Sequence, residues 1–294
     1  MKLASIVTAD HQTTIACVDT QAQVVRALRS AGGRAVKDMN DLIEHFEQLK
    51  GALVFEEHAT PLKDVQFAAP IPRPRRNVVC VGKNYHDHAH EFTRSGYDSS
   101  ASKAADAIPA APILFTKMPE TVIGTGAPVR YPAGASEQLD YEAELAVIIG
   151  KGGRDIGKAD ALDHVFGYTI VNDVTARDLQ SRHKQWFLGK SLDTFCPMGP
   201  WIATRDETDG ANLDVRCWIN GELRQSANTK DLIFDVPTLI ATLSAGLTLL
   251  PGDVIATGTP AGVGIGFSPP RFLQRGDLME VEITGLGRLS NRIA

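Results

Sequence analysis

The sequence predicts a β-rich α+β protein, with a large domain carrying peripheral helices and a small N-terminal α+β domain. Short apolar runs recur along the chain and end on Gly, Pro, Asn or Asp, as strands do. Long stretches of helical periodicity are few. The segment Ala69-Pro70-Ile71-Pro72-Arg73-Pro74 is a stiff extended joint, because each proline also restricts the residue before it. It divides the chain into residues 1–70 and 71–294.

In the first part, Met1 to Thr8 and Thr13 to Val18 read as strands. Asp19-Thr20 offers a cap to a helix through Val24, Val25 and Leu28, stopped by Gly32-Gly33. A second helix starts near Asn40, with Leu42, Ile43, Phe46 and Leu49 at helical spacing. In the second part, Asn77 to Gly82 reads as a buried strand, followed by Lys83 to Phe92, rich in histidine. Thr93 to Ala111 has little periodicity and buries little, the composition of a mobile active-site lid. Strands are expected at Pro112 to Lys117, Leu145 to Ile149 and Phe166 to Val171, with a short helical turn at Ala159 to His164 and helical character from Val174 to Gln180. Trp186 to Trp201, dense in Gly, Pro and aromatics, is expected to be an ordered loop. Asn220-Gly221 marks a hairpin within Val215 to Gln225. Asp235 caps a helix with Pro237 near its start. Val254 to Thr257 is a strand, Gly258 to Gly264 a glycine-rich loop, and Leu278 to Thr284 with Arg288 to Ile293 a closing pair.

Composition narrows the function classes. The 294 residues are 43% apolar and 22% charged, a globular balance, and the net charge of -5 gives no footprint for nucleic acid. No apolar run reaches the ~20 residues that cross a bilayer. The N-terminus has no long apolar leader, so a cytoplasmic location is expected. Cys17, Cys80, Cys196 and Cys217 form no CxxC pair, which argues for packed, reduced thiols.

Chemistry concentrates in Leu139 to Gly150, LDYEAELAVIIG. Residues two apart on a strand share a face, so Glu142 and Glu144 point the same way at the mouth of an apolar strand. Two like charges that close raise one another's pKa, and a hard divalent cation removes the conflict. An isolated pair of this kind is commonly a solvated strand end. Asp173, at the end of the next strand, supplies a third carboxylate, although an Asn-Asp pair alone more often makes a turn. Three carboxylates suit octahedral Mg²⁺ or Mn²⁺. His86, His88 and His90 lack the further ligands of a tetrahedral site. If their segment is helical, His88 and Glu91 share a face and form an oriented general base; a solvated turn is the plainer alternative. Gly189-Lys190-Ser191 ends like a phosphate loop, but Lys184 stands where the first glycine belongs. Lys190 reads instead as a cation in an ordered loop. The amides of Gly258 to Gly264, with Thr259, are expected to be exposed and able to bind carboxylate or enolate oxygens.

The segments VGKNYHDHAHE, LDYEAELAVIIG, GYTIVNDVTARDLQ, GKSLDTFCPMGPWI and LLPGDVIATGTPAGVG, in this order, resemble the fumarylacetoacetate hydrolase (FAH) family. The resemblance spans most of residues 77–294, and residues 1–70 look like the variable N-terminal domain of bacterial members. It implies a mixed β-roll and a Mg²⁺, Mn²⁺ or Ca²⁺ ion on Glu142, Glu144 and Asp173. It also implies a lid bearing His88 and Glu91, with Lys190, Arg177, Gln180 and Thr259 facing a small keto or diketo acid. A homodimer is usual among similar proteins. The leading expectation is hydrolytic C–C cleavage of a β-diketo acid such as an acylpyruvate, with Lys190 stabilising the departing enolate and His88 and Glu91 activating water. The alternative is isomerisation of a 2-hydroxyhepta-2,4-diene-1,7-dioate or decarboxylation of oxaloacetate at the same site. A binding module without turnover would have no use for the oriented base.

Overall fold

The computed structural model describes residues 1–98, 100 and 107–294. A twelve-stranded mixed sheet forms the frame. Its main path runs Leu53–Phe55, Val24–Ala31, Thr13–Asp19, Lys2–Val7, Cys196–Thr204, Val165–Asn172, Ala143–Ile149, Val254–Ala256, Val78–Gly82 and Ile113–Lys117. After Ile113–Lys117 the chain turns back, and Val122–Ile123 pairs in parallel with Cys196–Thr204. That return rolls the sheet around the site, and the architecture is the β-rich roll expected. A second sheet of four strands, Glu222–Asn228, Asp214–Ile219, Leu278–Ile283 and Gly287–Arg292, covers one face.

The central strand explains the arrangement. Leu145, Val147 and Ile149 face the four-stranded sheet and join a core with Val215, Ile219, Val281 and Ile283. Ala146 and Ile148 face the other way, into a core with Val78, Ala256, Leu42 and Ile43. A strand covered on both faces reads as a continuous apolar run. Each buried Leu, Ile or Val contributes roughly 1.5–3 kcal/mol, so the strand is fixed firmly in the middle of the molecule.

Two local expectations are corrected. Val24–Ala31 is a strand, not a helix. Asp19 does cap, but it caps a turn: its Oδ1 accepts from the amides of Gln21 (3.0 Å) and Ala22 (2.8 Å), and Asp19 and Val24 then stand opposite each other in an antiparallel pair. The β-branched start Val24-Val25 suits the strand. The segment from Trp186 to Trp201 is also not a loop. It holds the helix Phe187–Lys190 and the first part of the fully buried strand Cys196–Thr204. Gly and Pro there serve close packing. At Gly199 the backbone adopts φ +130, which suits only glycine.

The helix expected near Asn40 breaks at His45 into Met39–Glu44 and Phe46–Leu49. The Asn220-Gly221 hairpin is present, with φ of +51 and +80 as a two-residue turn of that type requires. Asp235 caps Val236–Ser244 by accepting from Thr238 N at 2.9 Å. The N-terminal strands continue the main sheet through Lys2–Val7 and Cys196–Thr204, in register Leu3 with Ile202. No helix among the described residues is long and apolar enough to cross a membrane. Most of the lid expected between Thr93 and Ala111 is described, but Ser99 and residues 101–106 lie outside the described residues.

Candidate active site and metal centre

Sheet register brings the three acids together. Ala143–Ile149 pairs antiparallel with Val165–Asn172, Ala143 facing Asn172. Asp173, one residue on, donates its amide to Glu142 O at 2.8 Å, and Asn172 Oδ1 accepts from Glu142 N at 3.0 Å. Glu142, Glu144 and Asp173 are all buried, and each offers an oxygen within 4.8 Å of the others. Burial first, then the neighbouring Asp173 and Glu142 carboxylates, push Glu144 well above the ordinary carboxylate range. Glu142 behaves oppositely: burial raises it, but Lys190, Arg177 and His88 outweigh burial and hold it at about 2. A pocket of three crowded, buried carboxylates, all hard oxygen donors, fits a divalent cation such as Mg²⁺ or Mn²⁺.

Cations surround the cluster. Lys190 Nζ lies 2.7 Å from Glu142 Oε2 and 2.8 Å from Asp173 Oδ2. Burial lowers its pKa, but Asp173 and Glu142 more than compensate and keep it a cation. Arg177 Nη2 pairs with Glu142 Oε1 at 2.7 Å, and its Nη1 donates to Gln180 Oε1 at 3.1 Å. His88 and Glu91 sit on the helix His86–Arg94, one turn apart. His88 Nδ1 is 3.2 Å from Glu91 Oε2. A carboxylate only accepts, so Nδ1 carries a proton, which leaves Nε2 as the nitrogen free to exchange one. His88, Gln180, Lys190, Arg177, Glu142 and Thr259 line one small cavity with an aromatic wall of Phe92, Phe115 and Trp186.

Residues 77–294 match the model of the fumarylacetoacetate (FAA) hydrolase C-terminal family. The chain belongs to the fumarylacetoacetate hydrolase family. It is 54% identical to the oxaloacetate tautomerase YisK of Bacillus subtilis (strain 168), over 79% of this chain and 74% of that one. Among solved structures, it matches the fumarylacetoacetate hydrolase EaFAH from psychrophilic Exiguobacterium antarcticum at 40% identity with a TM-score of 0.83, covering 100% of this chain and 99% of that one. It also matches maleylpyruvate hydrolase from Sphingobium sp. SYK-6 in complex with manganese (II) ion and pyruvate, at 32% identity with a TM-score of 0.79, over 100% and 99% of the two chains.

This FAH-family site contains two residues the sequence reading passed over. Asp140 is wholly buried and accepts from Arg177 Nε (2.9 Å), Gly264 N (2.6 Å) and Ile265 N (3.1 Å). Its signal was available, since Asp140, Glu142 and Glu144 alternate along one face. Lys117 ends the strand Ile113–Lys117 and donates to Asp173 Oδ1 (2.5 Å), Val174 O (3.1 Å) and Lys190 O. A single lysine at a strand end carries no sequence signal.

The glycine-rich loop corrects another expectation. Its amides are not free for a ligand, because they hold the protein's own acids. Gly258 N donates to Glu144 Oε2 at 2.8 Å, and Gly262 N donates to Glu91 Oε1 at 3.0 Å. Thr259 Oγ1 accepts from Gln225 Nε2 at 2.7 Å while lining the cavity.

Proposed function

We propose that the protein is a metal-dependent isomerase of a small 2-keto dicarboxylic acid, interconverting its keto and enol forms as an oxaloacetate tautomerase does. The observation that carries this reading is that His88, paired with Glu91, lines one cavity with Glu142, a member of the buried Glu142, Glu144 and Asp173 cluster. The name of the relative at 54% identity favours proton transfer over hydrolysis, so the isomerase alternative displaces acylpyruvate cleavage as the main reading.

Glu142, Glu144 and Asp173 would hold the divalent ion. When bound, that ion supplies a Lewis acid that makes the C–H beside a keto group more acidic and stabilises negative charge on the keto oxygen. The chain's own residues do the rest. His88 Nε2 takes a proton from C3, the C–H electrons form the C2–C3 double bond, and the carbonyl electrons move to O2. Glu91 holds the imidazole in the tautomer that can accept at Nε2. Lys190, kept cationic by Asp173 and Glu142, donates a hydrogen bond to O2 as charge develops there. O2 then takes from the His88 imidazolium the proton that left C3, restoring both side chains. The reverse sequence returns the keto form, and no water or carbon dioxide enters or leaves. Phe92, Phe115 and Trp186 keep bulk water from the carbanion-like centre.

Hydrolysis remains the second reading, because the Sphingobium neighbour named a maleylpyruvate hydrolase shares the fold over its whole length. The two are separated by following the ultraviolet absorbance of enol-oxaloacetate and the mass of the products, with Mn²⁺ and with chelator. Tautomerisation predicts faster loss of the enol with unchanged mass, dependent on metal. His88→Ala should keep its metal and lose about 10²–10⁴-fold in rate. Rapid turnover of acylpyruvates to two fragments, with no acceleration of the enol decay, would overturn the assignment.

A further inference from the structure

Lys83 lies in the same cavity as His88, Arg177, Gln180 and Lys190, and its ammonium has no assigned role. The other three cations of the site are each tied to acids on the central elements. Lys190 and Lys117 hold Asp173, and Arg177 holds Asp140 and Glu142. Lys83 is different. Among the described residues, its acidic partner is Asp98, at 2.8 Å, in the turn after the His86–Arg94 helix. Both side chains are almost wholly shielded from solvent. Asp98 is held there by small local donors: Thr93 Oγ1 at 2.7 Å, Ser100 Oγ at 2.6 Å and Ser100 N at 2.8 Å.

The backbone at Lys83 is built to aim this side chain. Lys83 has φ +55, in the left-handed region where glycine or asparagine is cheaper. Its neighbours allow no other course. A Cβ at Gly82 would sit 2.3 Å from the Trp186 ring, so the chain passes flat against that indole. Asn84 is fastened by its amide to Thr257 O (2.8 Å) and Phe234 O (3.0 Å), and accepts from Phe234 N (2.7 Å). A lysine kept in a strained conformation between two fixed residues points to a use for its ammonium.

We infer that Lys83 binds the second carboxylate of a dicarboxylic substrate, and that the Asp98 carboxylate occupies that position when no substrate is bound. The inference rests on the 2-keto acid reading of the site and adds the group that selects dicarboxylates from monocarboxylates. A substrate carboxylate replaces one carboxylate by another on the same ammonium. The buried lysine therefore stays paired throughout, and the desolvation of its charge is not repeated at each binding event.

The test is calorimetric and needs no turnover. Mn²⁺-loaded protein is titrated with L-malate and with L-lactate, which differ in the second carboxylate. The wild type should bind malate about 10- to 100-fold more tightly, the range of a hydrogen bond to a charged group. Lys83→Met should reduce that ratio to near unity and leave lactate affinity unchanged. Asp98→Asn should tighten malate and not lactate. The double variant Lys83→Met/Asp98→Asn removes both charges and gives the same lost preference if the single variant folds poorly. A wild type without preference, a Lys83→Met protein that keeps it, or an Asp98→Asn protein with unaltered malate affinity each overturns the inference. Absence of tautomerase activity, with the malate preference intact, would instead overturn only the assigned reaction.

Discussion

Gly266→Ala should disable the site without touching any residue that meets substrate. Gly266 ends the 3-10 turn Gly264–Gly266, and a Cβ there would lie 1.9 Å from Glu91 Oε1 and 2.4 Å from its carboxyl carbon. Real contacts of this kind are never that short, so the Glu91 carboxylate must withdraw by more than an ångström. It then loses the Gly262 amide and its grip on His88 Nδ1. The Gly262 bond, made to a charged acceptor, is worth about 1.5–3 kcal/mol. Against it stands a gain of about 0.4–1 kcal/mol from removing a glycine at an ordinary φ. The loss wins by about 1–2 kcal/mol, and the melting temperature should fall by about 2–6 °C. Activity should suffer more: an ångström of misplacement in a catalytic group costs about 10²-fold in kcat. Metal content should not change, since Glu142, Glu144 and Asp173 are untouched. Enol decay, thermal melting and bound Mn²⁺ are measured on the same preparation. A variant within about twofold of wild-type kcat would refute the claim that Glu91 acts by orienting His88.

Two further perturbations probe the metal centre. Glu144→Gln keeps an acceptor for the Gly258 amide and cannot ionise beside Glu142 and Asp173, so the metal-free variant should melt no lower than metal-free wild type. Added Mn²⁺ should stabilise wild type by about 2.7 kcal/mol at a hundredfold excess over Kd and the variant much less; an equal rise in both would exclude Glu144 as a ligand. Lys117→Met strips the ammonium from Asp173 and from two main-chain carbonyls, and should cost about 3–5 kcal/mol in urea unfolding with an unchanged m-value. A loss below about 1 kcal/mol would mean that Asp173 does not need this partner.

The legible parts of this protein were those governed by local pattern. The strand Ala143–Ile149 was readable because its apolar run has no other short solution, and the Asp235 cap because the side chain acts within its own turn. The alternation of Asp140, Glu142 and Glu144 was equally plain, yet only two of the three were read, since a metal accounts for a pair and a structural acid has no motif. Val24–Ala31 was misjudged because Asp19 can cap a helix or close a turn, and pairing with Thr13–Asp19 decides between them. The glycine-rich loop looked like an anion cradle, and it is one, but its anions come from residues 91, 140 and 144. Lys117 was invisible because its meaning depends on the sheet rolling until Ile113–Lys117 meets Asp173 and Lys190.

That loop has a consequence for how the site can vary. Between Gly258 and Ile265, four amides grip an acid of the candidate metal cluster, the acid bonded to the His88 imidazole, and the acid that braces Arg177. One short stretch of backbone therefore acts as the ruler for the whole centre. Transplanting a loop of another length would shift all three anchor points together and leave no intact reference for the chemistry. Changes in substrate choice are better sought in the side chains around Lys83 and the turn that carries Asp98, which can vary without altering the length of that ruler.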